Sequence, residues 1–131
     1  MPKNLNSDIT KLITKYLSIR EHSKLELQNK LSQKGHDLSD IRDCIDEFSS
    51  KNIQSDIRFT EEFIRSRLKK NKGPQLILSE LITRGIADNI IQKKYLKYLI
   101  KNGAEQLFVL LAKNSMDLLS LSNIKIKYIL F

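Results

Sequence analysis

The sequence predicts an all-α fold: an elongated tandem array of three-helix, helix-turn-helix-like units, the third incomplete. Three observations carry that expectation. Apolar stripes at helical spacing recur in one segment after another, and helix is the only regular structure with sustained support. Gly35 and Gly85 lie 50 residues apart, and at that offset Leu27 meets Ile77, Leu31 meets Leu81, Ile41 meets Ile91, Ile45 meets Tyr95 and Phe48 meets Tyr98. Leu and Ile supply 37 of the 131 residues, against four Gly and two Pro. That is too much apolar chain for disorder and too little Gly and Pro for collagen.

The elements follow in order. Ile9, Leu12, Ile13, Tyr16 and Leu17 fall at i, i+3, i+4, i+7 and i+8, the stripe of a first helix that ends at Arg20-Glu21-His22. Ser23-Lys24-Leu25-Glu26 matches a capping box, in which hydroxyl and carboxylate each satisfy an orphan backbone N–H. A second helix runs from there through Leu27 and Leu31 to Lys34, where Gly35 supplies a left-handed stop. A third begins near Ser39, buries Ile41, Cys44, Ile45 and Phe48, and closes at Lys51-Asn52.

The same events then restart. A fourth helix begins near Asp56 and uses Phe59, Phe63, Ile64 and Leu68. Asn71-Lys72-Gly73-Pro74 leads into a fifth, with Pro74 suited to a first turn that needs no N–H there. Ile77, Leu78, Leu81 and Ile82 form its face and Gly85 stops it. A sixth runs from about Asp88 past Ile91, Tyr95 and Tyr98 to Asn102-Gly103. A seventh, Glu105 to about Lys113, presents Leu107, Phe108, Leu110 and Leu111, and a short apolar segment, Ile124 to Phe131, follows. The units are therefore expected at 1–54, 55–103 and 104–131, the last a partial unit that would need another capped helix after Phe131. Its apolar groups would lack cover, so the chain beyond about Lys113 is expected to open most easily. Each full unit is three helices, a longer period than the ~34 or ~40–47 residues of common two-helix repeats. Such arrays usually serve as binding surfaces.

Charge is distributed unevenly. The net charge is +8, yet residues 1–62 hold 10 Lys/Arg against 11 Asp/Glu, while residues 63–131 hold 13 against 4. The basic half favours an anionic partner, nucleic acid first. No stretch approaches the ~20 apolar residues of a membrane span, and Met1 to Asp8 lacks the apolar core of a signal peptide. A soluble, cytoplasmic protein without membrane contact is expected.

No catalytic constellation emerges, and neither an enzyme activity, a metal site nor a cofactor is expected. His22 and His36 sit beside a helix start and a helix stop without ligand-spaced partners, which favours capping or solvent exposure. Cys44, the lone cysteine, lies on an apolar stripe and is expected as a buried inert thiol. Asp37, Asp40, Asp43, Asp46 and Glu47 have no metal-loop pattern and suit a solvated helix face before a protein-contact face. Tyr95 and Tyr98 match core positions of the first unit, favouring packing over base stacking.

One feature stands above that background. Arg65, Arg67, Lys69, Lys70 and Lys72 place five positive charges in eight residues, with Gly73-Pro74 directly after. Lys93, Lys94, Lys97 and Lys101 add four along the sixth helix. Cations complementing helix C-termini explain two or three of these, not nine. Clustered Lys/Arg that release counterions are what sequence-independent DNA binding requires, so the nine form a candidate contact patch for phosphate or an acidic protein surface.

Tyr16-Leu17-Ser18-Ile19-Arg20-Glu21-His22-Ser23, with Glu26-Leu27, Lys30-Leu31 and Lys34-Gly35, resembles the opening signature of RecX regulatory proteins. Arg58-Phe59, Phe63-Ile64-Arg65-Ser66-Arg67, Lys72-Gly73-Pro74, Glu80-Leu81 and Gly85-Ile86 resembles the second signature of that family. The resemblance covers roughly residues 10 to 91. It implies tandem three-helix units in a bacterial cytoplasmic protein that binds the RecA recombinase. Such a protein lies along the groove of the RecA–DNA filament, hinders its growth, and lowers ATP hydrolysis, strand exchange and co-protease activity. The rival expectation is a stand-alone helix-turn-helix-like DNA-binding protein. Against it, the helices lack the Arg/Asn/Gln-rich face of direct base readout.

Overall fold

Helix α1, Ser7–Ile19, starts at Asn6, whose side-chain oxygen accepts from the amides of Asp8 (3.0 Å) and Ile9 (3.3 Å). The computed structural model in which this is seen describes residues 5–96. Helix α2, Lys24–Gln33, opens on the expected capping box: Ser23 Oγ accepts from the Glu26 amide and Glu26 Oε1 from the Ser23 amide, both at 3.1 Å. Helix α3 spans Leu38–Ser50 and closes the first unit.

The second unit repeats the order. Helix α4, Asp56–Lys69, is capped by Ser55 Oγ, which accepts from the Arg58 amide at 3.2 Å. Helix α5, Pro74–Thr83, carries Pro74 in its first turn, where a missing N–H costs nothing. Gly35 and Gly85 follow α2 and α5 with φ of 87° and 77°, and Asn52 and Asn71 follow α3 and α4 with φ of 59° and 58°. Left-handed backbone stops each of these helices, with Gly or Asn, the residues that tolerate it best.

Each unit has its own core. Ile9, Ile13, Leu27, Leu31, Ile41, Cys44 and Ile45 form the first, and Phe59, Ile64, Ile77, Leu78, Leu81, Ile86, Ile91 and Tyr95 the second. The pairs Leu27/Ile77, Leu31/Leu81, Ile41/Ile91 and Ile45/Tyr95 are buried in both units, as the offset predicts. Each fully buried Leu or Ile contributes about 1.5–3 kcal/mol of transfer free energy, so the cores dominate the stability of the units. Cys44 is buried, and burial pushes its thiol pKa up, the setting of an unreactive cysteine.

The sixth helix differs from expectation. Helix α6 covers only Asp88–Ile90, and the chain continues as a wide π-helical turn, Ile91–Leu96. Periodicity over six residues cannot separate i→i+5 from i→i+4 bonding, because Ile91 and Tyr95 reach the core in either form. The wide turn brings the Tyr95 hydroxyl to the Pro74 carbonyl, to which it donates. Burial raises the Tyr95 pKa, which keeps that hydroxyl protonated. Lys97, Tyr98 and Lys101, the seventh helix and the partial unit at 104–131 lie outside the described residues.

Candidate functional site: a basic helix end beside the unit junction

The basic cluster on α4 divides into two kinds of cation. Arg65, Lys69, Lys70 and Lys72 are exposed and have no acidic partner among the described residues. Arg67 turns inward: its Nε donates to Glu80 Oε2 at 2.6 Å, and its guanidinium lies 4.7 Å from the centre of the Phe63 ring. It fastens α4 to α5. On the π-helical turn, Lys93 is exposed, whereas Lys94 pairs with Glu61 Oε1 at 2.7 Å. A hollow of about 410 Å³ beside Glu62, Arg65, Ser66, Lys69 and Lys70 marks the outward face.

A second cavity, about 260 Å³, lies where α4 meets the Arg20–His22 turn. Its floor is the Phe59–Phe63 pair, stacked at 5.5 Å, and Arg20, Arg67 and Arg84 surround it. Those guanidiniums are already compensated. Glu26 takes a two-pronged bond from Arg20 (2.8 and 3.2 Å) and lies 3.9 Å from Arg84 Nε, while Glu80 holds Arg67. Burial alone would raise the Glu26 pKa, but the bonds from Arg20 and the Ser23 amide outweigh it and hold the carboxyl below its ordinary value. The three guanidiniums are neutralised, and the open positive charge on the cavity wall is that of Lys70, at the end of α4.

The joint itself is a chain of polar contacts, from the buried Gln54–His22 bond to the exposed Lys24–Asp56 one. Gln54, 1% exposed, donates from Nε2 to the His22 carbonyl (3.1 Å) and to Asp56 Oδ1 (2.9 Å). Asp56 Oδ1 also accepts the Lys24 amide at 2.9 Å, so the first residue of α4 caps the first turn of α2. Arg58 Nε donates to Glu21 Oε1 at 3.0 Å. Ser23 Oγ, while capping α2, donates its own proton to the Arg84 carbonyl at the end of α5 (2.8 Å). Leu25 lies so close to Gly85 that a Cβ there would stand 2.8 Å from the Leu25 Cβ.

His22 corrects the expectation of solvent exposure, while its ring meets the carbonyl of Arg20, the C-cap of α1, at 3.0 Å. It is 1% exposed, with its ring 5.7 Å from that of Tyr16. The bond from its carbonyl to Gln54, 32 residues away, is invisible to local pattern, and so are Gln54 and Asp56 as junction residues. The Ser23-x-x-Glu26 spacing marks the cap but not the bond to Arg84, 61 residues away. His36 is half-buried beside the stop of α2, and Asp37, Asp40 and Asp46 are exposed, as a solvated face requires. Among the described residues no helix is long and apolar enough to cross a membrane.

Two family models match the chain. One, described as the first three-helix domain of RecX, matches residues 14–48, and the other, the second three-helix domain of RecX, matches residues 55–93. These intervals take in most of each core and, apart from Gln54, the residues that meet at the junction. Among similar curated proteins, the "Regulatory protein RecX" of Chromohalobacter salexigens is 38% identical over 77 residues, 59% of this chain and 51% of the relative. That of Halorhodospira halophila is 36% identical over 77 residues (59% and 48%), and that of Legionella pneumophila 41% over 76 (58% and 51%). The chain spans about half the length of the curated relatives it matches.

Proposed function

Because the chain belongs to the RecX family, with its first and second three-helix domains in tandem, we propose that it is a non-enzymatic regulator of the RecA recombinase. It binds RecA–DNA filaments in preference to free subunits and lowers their ATPase, strand-exchange and co-protease activities. The observation that carries this reading is the pairing of two RecX domains through a polar junction, in which Ser23 bonds Arg84 and Asp56 caps Lys24. Two contact surfaces held at a set spacing can engage successive protomers of a filament, so affinity for the filament exceeds that for one subunit. Groove occupancy then hinders filament growth.

Arg65, Lys69, Lys70, Lys72 and Lys93 form the contact patch in this proposal, since their charges are open. They meet filament DNA in a weak, sequence-independent contact or an acidic surface of RecA. Arg67 braces the patch from within through Glu80, and the half-exposed Lys94 has its charge met by Glu61. Lys97 and Lys101 extend it along the chain. The deciding experiment is RecA ATPase on single-stranded DNA with and without this protein. A lowered rate is expected, and an unchanged rate at filament-saturating excess would overturn the proposal. The DNA contact has its own readout. Changing Arg65, Lys69, Lys70 and Lys72 to Gln should flatten the salt dependence of DNA binding by roughly 0.7–0.9 per lost contact. A slope left intact assigns the patch to protein instead.

A further inference from the structure

His22 is held in a single protonation state by what faces it. Its Nδ1 lies 3.0 Å from the Arg20 carbonyl, a group that only accepts, so Nδ1 carries the proton of the neutral ring. Its Nε2 lies 2.8 Å from Lys30 Nζ, an ammonium that only donates, so Nε2 must offer its lone pair. A second proton on the ring would set Nε2–H against the Lys30 ammonium with no acceptor between them. The ring is enclosed, and the half-buried Lys30 also lies 4.9 Å from the centre of the Tyr16 ring.

The charges around the ring act in opposite senses. From the turn, Arg20 opposes a positive ring, and from α2 Lys30 opposes it while Glu26 favours it. From α1, Tyr16 offers its ring. From the second unit, Asp56 reaches His22 only through Gln54, and Arg58 is engaged by Glu21. Desolvation comes first among the causes and, with the two cations, outweighs Glu26 and the Arg20 carbonyl, so the His22 pKa is lowered from its ordinary value.

The same residue stands at the joint. The His22 carbonyl holds Gln54 and, through it, Asp56, which caps Lys24, while the next residue, Ser23, holds Arg84. We propose that neutral His22 is the pin of the inter-unit junction, and that protonation of its ring, by repelling Lys30, releases the 20–24 turn and uncouples the two three-helix units. The folded, joined state binds fewer protons than the opened one. The junction is therefore intact above the ordinary histidine pKa and weakens as pH falls below it.

The test is a histidine-ring NMR titration of the full chain together with amide protection factors, from about pH 7.5 to about 5.5, where an ordinary histidine titrates. The Lys24 amide reports the junction, since it donates across it to Asp56, and amides within α3, such as that of Ile45, report the first core. The His22 ring should titrate below histidine's ordinary value. Lys24 protection should fall by up to about tenfold per pH unit between the opened and joined pKa values, while Ile45 protection stays level. In Lys30→Gln, whose amide can accept or donate, the His22 midpoint should rise by about one unit and the pH sensitivity of Lys24 should fade. A His22 ring titrating at or above its ordinary value, or Lys24 and Ile45 losing protection in parallel, would overturn the proposal from the wild-type chain alone.

Discussion

Gly35 and Gly85 occupy the same place in successive units, stop the same kind of helix, and share a left-handed backbone. Their surroundings differ. Among the described residues nothing lies within 4 Å of a Cβ built at Gly35, whereas one at Gly85 would meet Leu25 at 2.8 Å. Ser23 and Gly73 form a second such pair: Ser23 caps α2 and bonds the Arg84 carbonyl, while Gly73 precedes α5 with no side chain to do either. What repeats at the 50-residue offset builds the units. What departs from the repeat builds the joint between them.

That contrast sets the sizes of expected effects. Gly85→Ala should be the most damaging of the paired changes, costing about 2–5 kcal/mol from left-handed strain plus overpacking against Leu25. Gly35→Ala carries the strain alone, about 1–2 kcal/mol. Urea midpoints at constant slope measure both, and equal losses would show that Leu25 swings aside without penalty.

Next comes Ser23→Ala, at about 1–2 kcal/mol, since it removes a cap and leaves the Arg84 carbonyl without its donor. Loss of the proposed RecA inhibition with thermal stability unchanged would make Ser23 a contact residue rather than a structural one. Arg67→Gln should cost about 1 kcal/mol through the lost Glu80 bond and the lost cation–ring contact. Changing exposed Arg65 and Lys69 to Gln should shift stability by less than about 0.5 kcal/mol, the usual range for such surface sites. Comparable losses at Arg67 and at this exposed pair would erase the distinction between inward and outward cations. The smallest effect is expected for Gly73→Ser, a gain of a few tenths of a kcal/mol, because glycine is already a fair N-cap. A larger gain would mean that the second unit can acquire a joint of the first unit's kind.

The units were legible in the sequence because their determinants are local. A capping box spans four residues, a glycine stop one, and an apolar stripe two turns, so Ser23-x-x-Glu26, Gly35, Gly85 and the paired core positions could be placed from pattern. The basic cluster was legible as charge, but not the inward turn of Arg67, which depends on Glu80 in the next helix. His22, Gln54 and Asp56 were hidden for a different reason. Polar residues in turns ordinarily face water, and the burial of His22 and Gln54, like the bond of Asp56 to Lys24, follows only from the docking of elements far apart in sequence. The π-helical turn was hidden because it moves the apolar face too little to alter the period.

The Ser23–Arg84 hydrogen bond joins residues 61 apart, and the bonds from Gln54 to His22 and from Arg58 to Glu21 close loops of 32 and 37 residues. Each core, by contrast, closes within one unit. Loop-closure entropy must be lost before distant contacts return anything, so the units should assemble quickly and the joint last. Contacts made after the transition state leave folding rates unchanged and slow unfolding. Glu21→Ala, which removes the Arg58 bond without touching a helix cap or either core, should therefore speed unfolding while the refolding limb of a chevron stays in place. The joint acts as a latch on lifetime, setting how long the two domains remain presented together once formed.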